Sequence, residues 1–159
     1  MTTDVPVVLW LFVLNLGVVF GAGVYEQRIV EPRWLERRSA GPARWHADAV
    51  RADDVGRRFW VLAATVPLTI LTCASIALAW RAGDAGQAWW LAAALLAAVE
   101  RLATAGYFIP VMIRLMRAAD TPDAVPAAMV WSRLNLLRHG LVFAAWLASL
   151  RAFELAGRS

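Results

Sequence analysis

Residues Trp89 to Ile113 read WWLAAALLAAVERLATAGYFIPVMI, an apolar run interrupted near its middle by the charged pair Glu100-Arg101. A transmembrane helix needs about 20 predominantly apolar residues, so this segment is long enough to cross a lipid bilayer. Ionisable side chains at the membrane centre are costly unless they are paired or hydrated, and most of them face a bundle interior or a cavity. The segment therefore predicts a membrane span that carries a polar site inside the membrane.

Composition places the whole chain in the same class. Of its 159 residues, 60% are hydrophobic and nine are Trp, which is typical of a membrane protein. Connections between the apolar segments are short apart from the first, and short connections favour antiparallel neighbours. We expect one all-α transmembrane domain over residues 1–159, an up-down-up-down four-helix bundle with a long first cytoplasmic loop. The predicted spans are Val5–Tyr25, Phe59–Trp80, Trp89–Ile113 and Leu136–Phe153.

The basic residues predict the orientation of the bundle. All sixteen are Arg; twelve of them lie in the first and third loops, whereas the opposite side holds Arg81, Arg151 and Arg158. The positive-inside rule then predicts a multi-pass protein of the inner (plasma) membrane with both termini outside the cytoplasm. The net charge of +4 follows from this bias. No basic-aromatic binding motif is present, so the expected partner is the lipid bilayer and not a nucleic acid.

Each predicted span has one polar face when its residues are placed at about 100° intervals. Because lipid rejects polar groups, the four faces are predicted to turn inward together. Glu100 lies near mid-membrane, whereas Glu26 and Arg138 lie near the cytoplasmic ends. We therefore expect a polar pocket that opens to the cytoplasm, with Glu100 at its floor. The four faces comprise Asn15 and Glu26; Arg58, Thr65, Thr69 and Thr72; Glu100, Thr104, Tyr107 and Arg114; and Trp131, Asn135, Arg138 and Ser149.

Structural roles for the same residues stay open. Glu26 would pair with Arg28 or Arg58, and Glu100 with another helix, because Arg101 points about 100° away from it along the helix. The two glycines of Gly17-x-x-x-Gly21 also predict some weak homo-oligomer contact. Other structural roles are back-bonding or helix contact by Thr65, Thr69 and Thr72, a packing notch at Gly17 and Gly21, snorkelling by Arg57, Arg114 and Arg138, and packing by His139.

Two connecting segments have local structure of their own. The first loop contains Pro32 and Pro42 and then a possible amphipathic helix around Ala43–Val55, which would lie on the membrane interface or cap the bundle. In the third connection, Thr121-Pro122-Asp123 is typical of a turn that enters a short helix ahead of the last span.

Several kinds of site are excluded by residue counts. A bis-histidine haem needs two histidines at membrane depth, and only His139 qualifies. The single cysteine, Cys73, excludes a Cys-x-x-Cys redox pair, and no phosphate-binding glycine motif is present. A metal site built from Glu26, Glu100, His46 and His139 would match no known ligand spacing. We therefore predict neither a metal nor a bound cofactor.

Short motifs across most of the chain resemble the anthrone oxygenase-like family of small four-span membrane proteins. The last span opens with Trp131-Ser-Arg-Leu-Asn135-Leu-Leu-Arg138, which is similar to the W-x-x-x-N-x-x-R pattern of that family. Further similarities are Phe108-Ile-Pro110, Gly23-Val-Tyr25-Glu26 followed by Pro32, and Gly56-Arg57-Arg58-Phe59-Trp60, the last typical of an uncharacterised bacterial branch.

The resemblance implies a reaction. Characterised members are expected to oxidise phenolic anthrones to anthraquinones with O2, without a bound metal or flavin. Many members carry Asn-x-Pro-x-Asn after the third span, whereas Phe108 and Met112 stand at the flanking places here. Our first hypothesis is thus an oxygenase-like oxidoreductase that acts on a small apolar aromatic molecule.

The hypothesis assigns a role to each candidate residue. Glu26 or Glu100 would be the base, and Asn135 and Arg138 would hold the resulting oxyanion. The rest of the substrate-binding set would be Arg58 with the aromatic residues Tyr107 and Trp131, which would stack on the substrate ring.

Two other classes of function stay open. One is a non-catalytic module that binds a small molecule or a lipid, or a proton-coupled transporter subunit with Glu100 as its titrating group. The other is a purely structural partner protein, in which Arg–Glu bridges would fill the polar faces without a cavity.

Overall fold

The structure is a computed structural model, and it describes residues 7–37, 41–83, 85–118 and 123–158. Three π-helical segments, named π1 to π3, interrupt or extend the α-helices. Together these elements form four long helices, spans 1 to 4, which are Val7–Trp34, Gly56–Ala79, Gln87–Arg117 and Ala124–Ala156. In chain order the elements are α1 (Val7–Tyr25), π1 (Glu26–Val30), α2 (Glu31–Trp34), β1 (Leu35–Glu36), β2 (Arg44–Trp45), α3 (Ala47–Asp53), π2 (Gly56–Thr65), α4 (Val66–Ala79), α5 (Gln87–Ala103), π3 (Thr104–Phe108), α6 (Ile109–Arg117) and α7 (Ala124–Ala156).

The four spans form an antiparallel bundle. Span 1 packs against spans 2 and 4, and span 3 packs against the same two, so the four helices enclose one interior. Thr104 of span 3 contacts Arg138 of span 4, whereas the later residue Phe108 contacts the earlier residue Trp131, as antiparallel neighbours do. The predicted all-α four-helix membrane bundle is confirmed.

The spans extend beyond the predicted limits. Span 4 was predicted from Leu136 to Phe153 with a separate short helix before it, but it is one helix of 33 residues, Ala124–Ala156. Pro126 lies in the first turn, where the missing N–H has no intrahelical partner to lose, so the helix continues through it. Span 1 likewise runs past Tyr25 to Trp34. The predicted turn at Thr121-Pro122 lies outside the described residues.

The three π-helical segments share one sequence cause. Each is followed by a proline at the second residue of the next α-helix, namely Pro32 after π1, Pro67 after π2 and Pro110 after π3. A proline inside a helix supplies no N–H, and its ring clashes with the carbonyl four residues earlier. A wider π turn accommodates both effects, and such turns occur frequently at functional sites.

The π segments change which residues face inward. A π turn holds more residues than an α turn, so a constant angle per residue fails across it. In span 2 the buried polar residues are Thr72 and Ser75, whereas Thr69 and Arg58 are exposed. The prediction that Thr69 turns inward is therefore wrong. Its back-bonding role is confirmed, because the Thr69 hydroxyl donates to the Thr65 carbonyl at 2.5 Å.

Asn15 has a specific structural partner. Its Nδ2 donates to the carbonyl of Ala63 at 2.9 Å. Ala63 lies four residues before Pro67, so its carbonyl lacks the usual backbone N–H donor of an α-helix. Asn15 supplies the missing donor across the interface between spans 1 and 2, and it is half-buried there.

The interior and the surface of the bundle divide as a membrane protein requires. Spans 3 and 4 present small buried residues to the core, including Ala93, Ala97, Ala145 and Ala152, which allow close helix approach. Large apolar residues point outward on every span, and Leu62, Leu102 and Leu137 are 72%, 74% and 66% exposed. All four spans are long and apolar enough to cross a membrane. The chain is a multi-pass membrane protein.

Two glycines of span 1 fit side chains of span 4. A Cβ at Gly17 would lie 3.2 Å from the Trp146 ring, and a Cβ at Gly23 would lie 2.4 Å from the His139 ring. Gly21 has no heavy atom near its Cβ position. The packing notch predicted at Gly17 is thus occupied by Trp146 of the same chain.

The first loop caps one end of the bundle. Strands β1 and β2 pair antiparallel and lead into α3, which packs against α6. Trp45 Nε1 donates to the carbonyl of Leu115 at 3.0 Å, and Arg51 donates to the carbonyl of Met116. Both carbonyls belong to the last turn of α6, where helical donors run out. Of the two placements predicted for this loop, the bundle cap is the observed one.

Candidate functional site

A cavity of about 540 Å³ lies beneath the cap, and all four spans contribute to its walls. Residues of the first loop from Val50 to Gly56 close one side. Charged groups and aromatic rings thus face the same space inside a membrane bundle. The polar lining includes Glu26, Glu100, Arg101, Thr104, Arg138 and His139, and the apolar lining includes Trp60, Phe108, Met112 and Trp131.

Glu100 is the centre of an ion-pair network and is only 1% exposed. Arg101 Nε and Nη2 donate to its two carboxylate oxygens at 2.6 and 2.7 Å, and the Thr104 hydroxyl donates to Oε1 at 2.8 Å. The prediction that Arg101 is badly placed to pair with Glu100 is wrong. The long Arg side chain folds back around the helix, and its planar fork matches a carboxylate at two points.

Arg138 reaches the same network from span 4. Its Nε lies 3.8 Å from Glu100 Oε1, and its Nη1 donates to the Thr104 hydroxyl at 3.5 Å. The guanidinium carbon lies 4.8 Å from the centre of the Phe108 ring and 6.0 Å from that of Trp60. Cation–π contacts therefore stabilise the positive charge of Arg138. Because its distances to oxygen atoms are long, the Arg138 guanidinium is less fully hydrogen-bonded than that of Arg101.

Glu26 is the carboxylate with room for a ligand. It is the first residue of π1, it is buried, and its Oε1 accepts one hydrogen bond from Trp60 Nε1 at 3.1 Å. Within the described part of the chain it has no ion pair with Arg28 or Arg58, so the predicted structural bridge is wrong. Arg138 lines the same cavity as Glu26.

The aromatic wall is fixed by its own contacts. Trp131 Nε1 donates to the carbonyl of Phe108 at 3.3 Å, and the two rings stand edge to face with centres 6.2 Å apart. The Trp60 ring is held by its bond to Glu26. These three rings thus line the cavity in defined orientations, and Trp34 is a fourth ring in its lining.

Three predicted site residues lie elsewhere. Among the described residues that line the cavity, Arg58, Tyr107 and Asn135 are absent. Arg58 is exposed, and the neighbouring Arg57 lines the cavity rim instead; Tyr107 is half-buried, and its neighbour Phe108 lines the wall. Both shifts by one position occur inside π segments, where the α-helical spacing assumed for the prediction fails.

Asn135 is fully buried next to the site. Neither its Oδ1 nor its Nδ2 has a hydrogen-bond partner among the described residues. One turn later, His139 lines the cavity and contacts Gly23. Its Nε2 is also without a partner in the described part of the chain. The predicted packing role of His139 is confirmed by the Gly23 contact, and its place in the cavity wall was not foreseen.

Sequence reasoning also missed Trp60 as part of the site, and it named Arg101 only as the neighbour of Glu100. Trp60 stands in the Gly56-to-Trp60 motif, and its indole N–H had no role assigned to it. The prolines that follow the π segments were the available signal, because a proline inside an apolar span indicates a local change of helical register.

The arrangement can bind an apolar ring and an attached polar group together. One buried carboxylate with a single hydrogen bond, one incompletely bonded guanidinium and three rings face a common space. Within the described ranges, no group of three or more His, Cys, Asp or Glu residues is placed to hold a metal ion. Comparisons with protein-family models, with curated proteins and with solved structures found no match to this chain.

Proposed function

We propose that the cavity binds a small aromatic molecule with an acidic hydroxyl or enolisable carbon, and that the protein oxidises this molecule in an oxygenase-like reaction. The observation that carries the proposal is the convergence of Glu26, Arg138 and three aromatic rings on one cavity of about 540 Å³. Ligand pockets of a few hundred cubic ångströms, mostly apolar and with few polar groups, are typical of small-molecule sites.

Glu26 is the proposed base. Its carboxylate has one hydrogen bond, from Trp60, and faces the cavity, so it can accept a proton from the ligand. Glu100 is a poor base, because both of its oxygens already bind Arg101 and one of them also binds Thr104. We assign Glu100 a positioning role, in which it holds Arg101 and Arg138 at the cavity wall.

Arg138 is the proposed partner of the anion that forms. Its Nη1 has one long hydrogen bond, to Thr104, and its charge is held beside the cavity by Phe108 and Trp60. A fixed cation aimed at developing negative charge stabilises the transition state of proton removal. Trp131 supplies a surface on which the ring of the ligand can stack.

The resemblance to the anthrone oxygenase-like family suggests the overall reaction. A phenolic anthrone with a central CH2 group would react with one O2 to give the C=O of an anthraquinone and one water. Glu26 takes the first proton, the resulting carbanion is oxidised by O2, one oxygen atom enters the product and the other leaves as water. The O2 supplies all four oxidising equivalents.

Binding without turnover is the second candidate function. Its support is local: Phe108 and Met112 line the cavity at the places where many family members carry Asn. Fewer polar groups then face the ligand. In this alternative the same pocket holds a small aromatic molecule or a lipid and releases it unchanged.

Location and orientation belong to the same proposal. The excess of Arg in the first loop and on the span ends beside the first and third connections supports an inner-membrane protein with its termini outside the cytoplasm. The capping loop would then lie on the cytoplasmic side of the bundle. With Gly17 covered by Trp146, a weak homo-oligomer would use other lipid-facing surface, such as that around Gly21.

Oxygen uptake by proteoliposomes given a phenolic anthrone separates the two candidates. An oxygenase consumes O2 in proportion to anthrone, and Glu26→Gln lowers the rate by about 100-fold or more, as loss of a general base does. Glu154→Gln is the matched control. Glu154 lies near the end of span 4 in exposed ion pairs, and it does not line the cavity. Anthrone binding with no O2 uptake by the unmodified protein would favour the binding module.

A further inference from the structure

A second cleft, of about 740 Å³, lies on the outside of the bundle between spans 1 and 4. Its apolar part is formed by Phe20 and Val24 of span 1 and by Leu136, Gly140 and Phe143 of span 4. Four of these five residues are exposed, so this part of the cleft opens toward lipid. It is separate from the interior cavity, with His139 in the wall of both.

The other end of the cleft is polar. Glu31, which is 5% exposed, accepts a hydrogen bond from the Ser132 hydroxyl at Oε1, and Arg37 Nη2 lies 3.7 Å from the same oxygen. Arg37 Nη2 also donates to the Ser132 hydroxyl at 2.6 Å. The second oxygen, Oε2, is buried and has no hydrogen-bond partner among the described residues. A buried carboxylate oxygen without a donor is costly, and it favours a ligand that brings one.

Among the described residues that line this end of the cleft, the positive and negative charges are equal in number. Arg28 and Arg37 face Glu31 and Glu36 around the polar end of the cleft. Arg28 is exposed and has no ion-pair partner in the described part of the chain. A cleft end with two charges of each sign complements a headgroup that itself carries one positive and one negative charge.

The dimensions match a lipid. From Glu31 to Phe20 the cleft follows span 1 for three turns, roughly 15 Å at 1.5 Å per residue. Half of a hydrocarbon core about 30 Å thick has the same depth. The polar end therefore lies near headgroup level when the apolar end reaches the middle of the membrane.

We propose that this cleft binds one bilayer phospholipid with a primary ammonium headgroup, such as phosphatidylethanolamine. The ammonium donates to Glu31 Oε2, the phosphate pairs with Arg28, and an acyl chain lies along Phe20, Gly140 and Phe143. A choline headgroup has no N–H to donate, and an anionic glycerol headgroup has no positive charge for Glu31. The site does not depend on the proposed oxidation.

The test compares three lipids with identical acyl chains. The purified protein in detergent receives dioleoyl phosphatidylethanolamine, phosphatidylcholine or phosphatidylglycerol, and the unfolding temperature is recorded. Preferential binding to the folded protein raises that temperature. We expect the ethanolamine lipid to raise it by several degrees more than either other lipid. Equal shifts for all three lipids, or the largest shift with phosphatidylglycerol, would overturn the proposal.

Three variants locate the effect. Glu31→Gln should remove the preference for the ethanolamine lipid. Gly140→Leu should block the apolar part of the cleft, and it should fold, because a Cβ at Gly140 meets no heavy atom within 4 Å. Gly21→Leu is the matched control, since its Cβ position is equally open and Gly21 does not line the cleft. If Gly140→Leu kept the full stabilisation by the ethanolamine lipid, the cleft would not be the site. This result decides the question even if Glu31→Gln fails to fold.

Discussion

Glu100 and Arg101 are neighbours in sequence, and their side chains form a two-point ion pair inside the membrane bundle, at 2.6 and 2.7 Å. Thr104 and Arg138 approach the same carboxylate from one turn away and from span 4. The ion pair lowers the free-energy cost of placing charge at the centre of an apolar span. It also fixes two guanidinium groups at the wall of the interior cavity.

Glu100→Gln should destabilise the protein strongly. Removing the carboxylate leaves Arg101 and Arg138 without their ion-pair partner, and breaking a buried ion pair costs roughly 3–5 kcal/mol. We expect a clear fall in the unfolding temperature in detergent. Glu100→Gln combined with Arg101→Gln should cost less than the sum of the two single changes, because the two side chains interact directly. An unchanged unfolding temperature in Glu100→Gln would contradict the network.

Gly23→Ala should also destabilise the protein. The new Cβ would lie 2.4 Å from the His139 ring, so spans 1 and 4 must separate or the ring must move. Overpacking of this kind costs about 1–3 kcal/mol. Gly21→Ala is the control, because its Cβ meets no heavy atom and the change should be neutral or stabilising. Equal unfolding temperatures for the two variants would show that overlap with the His139 ring does not destabilise Gly23→Ala.

Asn135→Leu should raise the unfolding temperature. Both polar atoms of Asn135 are buried without partners among the described residues, and each such group costs about 1–3 kcal/mol. Asn15→Leu should have the opposite effect, since it removes the donor to the Ala63 carbonyl. Thermal unfolding of both variants in one detergent checks the pair. A fall in Asn135→Leu as large as that in Asn15→Leu would show that Asn135 has a stabilising partner.

Reporter fusions test the orientation. With the termini outside the cytoplasm, alkaline phosphatase joined after the last residue should be active in a bacterial host, and a fluorescent protein that folds only in the cytoplasm should be dark at the same position. The Arg excess in the first loop and on the span ends beside the first and third connections is the physical reason. The reverse pattern would place the capping loop on the outside.

The sequence was sufficient for the bundle and for part of the site. Apolar segment length determines the spans, and polar residues on α-helical stretches, such as Glu100 and Arg138, meet as their spacing predicts. Spacing failed for Arg58 and Tyr107, because both lie in π segments that alter the helical register. The Arg101 pairing was also missed, since helix geometry fixes the direction of a Cβ and leaves a long flexible side chain free to fold back.

The capping loop was predictable only in outline. An amphipathic helix was expected around Ala43–Val55, and α3 spans Ala47–Asp53. Its docking depends on the Trp45 and Arg51 contacts with the last carbonyls of α6, which are long-range pairings that no local pattern encodes.

Equilibrium binding of a phenolic anthrone to the detergent-solubilised protein tests most directly whether the interior cavity is a ligand site. Quenching of Trp fluorescence reports occupancy, since Trp60 and Trp131 line the cavity. Arg138→Ala should fold, because Glu100 keeps Arg101 and Thr104 as partners. It should weaken binding about tenfold or more, as the loss of a charge-assisted hydrogen bond does. Arg151→Ala, at the far end of span 4, should bind as the unmodified protein does. Equal dissociation constants for Arg138→Ala and Arg151→Ala, or no saturable binding at all, would contradict the assignment of this cavity.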